Sequence, residues 1–124
     1  MKTIRVTADG KISVVDVDFS DIQSVQNMLG GYVEVVNTCR QSYLLGEKIV
    51  MLVDEERLLK ELPKNSIGSF LYGGLIVGDV ILAQVVGEEL IAPKSVEELE
   101  KRLVAMSQLI RKEKQGDRSE EQYI

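Results

Sequence analysis

The chain of 124 residues is long enough for one ordinary domain, with 44% hydrophobic residues for a core and 28% charged residues for a solvated surface. A net charge of −5 disfavours generalised binding to nucleic-acid phosphates or anionic membranes. The absence of histidine removes the commonest general base, the Ser-His and Cys-His nucleophile pairs and the commonest zinc ligand.

Residues 2–7 and 11–17 are β-branched runs on either side of Asp9-Gly10, a dipeptide suited to a tight hairpin. The alternation changes phase between Val14 and Val15, which predicts a bulge or burial on both faces. The opening "MKTIRVTADG" holds no signal-peptide apolar block. A helix is expected from Ser20, whose hydroxyl caps it and with Gln23 forms a capping box. Ile22, Val25, Met28 and Leu29 share one face, and Gly30 supplies the left-handed stop. Residues 32–38 then alternate, placing Val33 and Val35 toward the helix and Tyr32, Glu34 and Val36 on the other face.

Residues 37–47 read as a polar connection, and their single cysteine, Cys39, fits a reducing compartment. The apolar run at 48–53 predicts an interior strand, after which Asp54 caps a short helix to about Leu59. Residues 63–69 are expected to be a loop. Gly73-Gly74 lead into a long strand at 75–86, interrupted at Gly78-Asp79 and too short to cross a bilayer. A second capping box, Ser95 to Glu98, opens a last helix whose stripe is Val96, Leu99, Leu103, Met106 and Ile110. Packing on the sheet is its expected use, and a homodimer seam the other. These elements predict a single small α+β domain over 1–113, with a mixed or antiparallel sheet of about five strands, two main helices and a short third. Residues 114–124 form a charged tail expected to be disordered.

Five stretches carry a family resemblance: "LGGYVEVV" at 29–36, "DEE" at 54–56, "LPKN" at 62–65, "GGLIVGDVIL" at 73–82 and "SVEEL" at 95–99. On these the chain resembles, over most of 1–111, the small phage and mobile-element proteins known as domain of unknown function 3846. The resemblance implies a mobile-element origin and a setting in the bacterial host cytoplasm. It departs at Ser66, where the family pattern after Asn65 continues with arginine.

Asp54, Glu55 and Glu56 have the chemistry of metal or acid–base ligands, but consecutive acids in a first helical turn diverge and serve the helix dipole. Asp79 interrupts an apolar strand, so its carboxylate must accept either backbone amides or donors from a ligand. The "GGLIVG" stretch is no phosphate fingerprint, because its glycines flank a strand rather than open a helix. A binding set is assembled from Gly31, Tyr32, Glu34, Asn65, Ser66, Gly74 and Asp79. Glycines admit a close ligand, tyrosine offers a stacking face, and asparagine reads donors and acceptors. No catalytic residue, metal or cofactor is expected. The expected function is non-catalytic binding, even sequestration, of a nucleotide-like signalling ligand as a counter-defence factor. The alternative is a protein-interaction module that inhibits or adapts a host enzyme. Expected partners are therefore a small nucleotide-like ligand or a host protein, with a homodimer possible and neither membrane nor extended nucleic acid involved.

Overall fold

Alternating and β-branched runs do form the sheet, and all of its strand pairs are antiparallel. The computed structural model of the chain describes residues 1–46 and 48–121, with side chains through residue 111. Strands β1 (Lys2–Val6) and β2 (Ile12–Asp16) make the hairpin around Asp9-Gly10, in unbroken register from Lys2↔Asp16 to Val6↔Ile12. No bulge interrupts β2. The phase change instead reflects burial on both faces, since Ile12 packs into one core cluster and Val15 into the other.

Helix α1 (Ile22–Leu29) starts one residue later than expected. Asp21 is its cap and accepts the Gln23 amide, while Ser20 turns back to donate to Asp18 Oδ1. Gly30 ends it in the left-handed conformation, at φ +86°. β3 (Val33–Val36) follows at the sheet edge, and β4 (Ile49–Asp54) beside it is buried at every residue. With helices on both sides, an interior strand has no solvent face, so its sequence loses the alternation.

Two helices lie where connections were expected. The polar segment 37–47 holds α2 (Cys39–Leu45), capped by Thr38. Segment 63–69 gives way at Asn65 to α3 (Ser66–Tyr72), which Gly73 stops at φ +85°, the same device as Gly30. The long strand at 75–86 is shorter than expected: Val77 bridges to Lys64, the chain turns at Gly78-Asp79, and β5 begins only at Val80 (Val80–Val86). The short helix expected after Asp54 is a succession of turns, closed by Arg57 N to Asp54 O and Lys60 N to Glu56 O.

The sheet order is β2-β1-β5-β4-β3, and β6 (Glu89–Ile91) pairs with the far end of β5. One core cluster joins Ile4, Val6, Val36, Met51, Val53, Val80 and Leu82 to α2, α3 and α4 (Val96–Glu121). The opposite face packs Val17, Val50, Leu52, Ile81 and Ala83 under Val25 of α1. The α4 stripe is used inside the molecule: Leu99 and Leu103 are buried, and Val96, Met106 and Ile110 pack against the same cluster. The expected division of β3 needs correction. Val33 does meet the α1 side, but Val35 is 48% exposed and Val36, at 7%, is the core residue. β3 is an edge strand, and the α1 cluster covers its first residues only. Among the described residues, no helix is long and apolar enough to cross a membrane. Residues 122–124 of the expected tail lie outside the described residues, as do all side chains from 112.

Candidate functional site

The register brings the C-terminal ends of β1 and β4 and the N-terminal ends of β5 and β3 to one end of the sheet. Six of the seven expected site residues lie along this end, but in two groups. β1 and β3 are three strands apart in the sheet order, about 14 Å at the usual interstrand spacing. Gly74 belongs to neither group, being exposed beyond the opposite end of α3 with the Tyr72 ring beside it.

The group near β1 is structural in its details. Asn65 is fully buried: Nδ2 donates to Val6 O (3.0 Å) and Gly78 O (2.9 Å), while Oδ1 accepts the Gly68 amide (2.8 Å). Asn65 therefore clasps β1, the turn before β5 and the start of α3, and it has no face left for a ligand. Asp79 accepts the Ala8 amide at 3.0 Å through Oδ1 and pairs with Arg5 at 2.5 Å through Oδ2. This answers how an acid tolerates an apolar neighbourhood, and the partner is 74 positions away in sequence. Ser66 opens α3 and lines a small depression of about 140 Å³ with Ala8, Asp9, Ser107 and Arg111.

The group near β3 begins with an ion pair. The Asp54 side chain, 4% exposed, binds Lys60 Nζ at 2.6 Å through Oδ2 and accepts the Glu56 amide at 2.9 Å through Oδ1. Lys60 also donates to Gly30 O at 3.0 Å, tying the end of α1 to the end of β4. Burial pushes the Asp54 carboxyl up, but the Lys60 bond, the Glu56 amide and the charges of Lys60 and Arg57 outweigh it. Its pKa ends below the ordinary value. Gly31 is needed beside this pair, because a Cβ there would lie 2.8 Å from Lys60 Nζ and 2.9 Å from Asp54 Oδ1. Glu34 pairs with Arg57, which donates as well to Asp54 O, so this carboxylate already has a cation. Glu55 and Glu56 are exposed, and the described residues include no group of three or more Cys, Asp or Glu suited to a metal.

Tyr32 is different. Among the described residues only its backbone is engaged, through the Glu55 amide at 2.8 Å, and the residue is 65% exposed. Beside it lies an open groove of about 510 Å³, walled by Gln23, Gln26 and Asn27 of α1, Gly31, Tyr32 and Glu56. Gln23 Nε2 donates to Asn27 Oδ1 at 2.8 Å, while the Gln26 side-chain amide has no hydrogen bond among the described residues. These amides were not in the expected set. Their signal was a polar i, i+3, i+4 row ending at the Gly30 stop, which is equally the pattern of any solvated helix face.

A family model described as a domain of unknown function, DUF3846, matches residues 1–110. The chain belongs to this family. No curated protein matches the DUF3846 chain in sequence. Among solved structures, a crystal structure of small RNA methyltransferase HEN1 is similar to it, with a TM-score of 0.56 and 13% identity. That likeness covers 84% of this chain but 16% of the methyltransferase chain, so it is a likeness of fold to one part of a longer protein.

Proposed function

We propose that this DUF3846 domain is a non-catalytic binding protein for a small nucleotide-like ligand, held in the groove between the end of α1 and Tyr32. The observation that carries the reading is the exposed Tyr32 beside a groove of about 510 Å³. An aromatic face stacks on any base, the neighbouring amides offer donors and acceptors, and Gly31 lets a ligand approach the backbone. In the phage-borne, cytoplasmic setting implied by the family resemblance, such a protein sequesters a host signalling molecule as a counter-defence factor. Thermal-shift screening with cyclic dinucleotides, cyclic mononucleotides and ADP-ribose derivatives tests this. The expected result is a concentration-dependent rise in Tm with one class. A flat response to all three at saturating concentration contradicts it.

The second reading, a protein-interaction module, has its own observation. The bond from Glu55 N to Tyr32 O sets the phase of the β3–β4 ladder, so the amides of Val33 and Val35 point outward from an open edge. An extended partner segment could add there as a further strand. Val35→Pro removes one outward donor at an edge position, where proline is tolerated. Capture of a host protein by the native chain and its loss in this folded variant would favour the module over the ligand-binding protein.

A further inference from the structure

We infer that the groove recognises the uncharged planar base of its ligand and leaves any phosphate outside. This deepens the ligand-binding reading above and rests on it.

Charge is the first ground. The charged side chain on the groove wall is Glu56, an anion. Lys60, whose ammonium lies beside Gly31, already directs two of its three donors to Asp54 Oδ2 at 2.6 Å and Gly30 O at 3.0 Å, and the Asp54 carboxylate offsets its charge. Arg57 is likewise engaged by Glu34 and Asp54 O. Drawing either cation into the groove would strand a carboxylate, and in the case of Asp54 a buried one.

The backbone points the same way. Gln26, Asn27, Gly30 and Gly31 belong to the C-terminal end of α1, where the helix carries its partial negative charge. No basic residue lies in its last turn to offset that charge. Phosphate sites are built at the other end of a helix, where amides point outward. Here the amides of Gly30 and Gly31 both fold back onto Gln26 O, at 2.7 and 3.2 Å. What the groove does present suits a neutral base: an exposed tyrosine ring for stacking and the Gln26 amide, which can donate and accept. A nucleoside meets both of these without bringing an anion toward Glu56.

Titration of the full chain with adenosine and with adenosine monophosphate, followed through the Tyr32 ring resonances at low ionic strength, tests this. Adenosine should bind at least about fivefold more tightly, the size expected for a single unit-charge repulsion at close range in water, since the monophosphate carries more than one negative charge near neutral pH. The gap should narrow in Glu56→Gln and in high salt, both of which remove that repulsion. Equal or tighter binding of the monophosphate overturns the inference while leaving a ligand-binding groove in place. If neither compound shifts Tyr32 at millimolar concentration, the ligand-binding reading falls, and the inference with it.

Discussion

Gly31 and Asp54 show how one residue constrains another across the chain. A methyl group at Gly31 would press on the Lys60 ammonium and the Asp54 carboxylate together. The Lys60 side chain is 36% exposed and can shift, whereas Asp54 is held by the Glu56 amide. Gly31→Ala should therefore destabilise the fold by about 1–2 kcal/mol, the range of modest overpacking, as read from the urea midpoint. The same ion pair sets a pH dependence. With its pKa below the ordinary carboxylate value, Asp54 contributes stability that is complete above its unfolded value of about 3.9. That contribution is lost as pH falls through the lower, folded value. Asp54→Asn should lower stability at pH 7 and remove this share of the acid-side slope, measurable as Tm against pH from 7 to 2. An unchanged slope would mean that the carboxylate gains nothing from Lys60.

At the scale of elements, two substitution pairs distinguish scaffold from surface. Asn65→Ala removes the α3 cap and leaves Val6 O and Gly78 O buried without their donor. The cost should be about 2–4 kcal/mol, more than an ordinary cap. In β3, Val36→Ala should cost about 2 kcal/mol and Val35→Ala under about 0.5 kcal/mol, by chemical denaturation, since only Val36 is buried. The opposite order would move the core to the other face of β3. The alternation of β3 was legible in the sequence; which of its valines is covered was not, because that depends on how far α1 reaches along an edge strand. The seven residues of α2 and of α3 are two turns each, too short to show a helical period among loop residues. Asn65 as a cap could have been read from its place before 66–72. Its two carbonyl partners could not, since one lies 59 positions away.

At the scale of the whole molecule, α4 is the element that closes the larger core cluster, through Leu99 and the fully buried Leu103. Leu103→Glu should cost several kcal/mol, at least the roughly 2 kcal/mol of lost apolar burial plus the desolvation of a carboxylate, and should lower Tm sharply. The hairpin, the interior strand, the glycine stop of α1 and the α4 stripe were readable because each is a local or periodic pattern. Of the walls of the proposed groove, Gly31 and Tyr32 stand in the set expected from the sequence. Its other walls include Glu56 and α1 amides that look like ordinary surface, and the ion pairs that occupy Glu34 and Asp79 join residues 23 and 74 positions apart.

The proposal as a whole turns on whether Tyr32 holds a ligand. Calorimetric titration of the native chain and Tyr32→Ala with the compound that gives the largest thermal shift tests this most directly. Base–aromatic stacking is worth about 1–3 kcal/mol by alanine substitution, so affinity should fall by that amount while the urea midpoint stays where it was. Undiminished affinity in a folded Tyr32→Ala chain would contradict the assignment and place the ligand away from the α1–β3 groove.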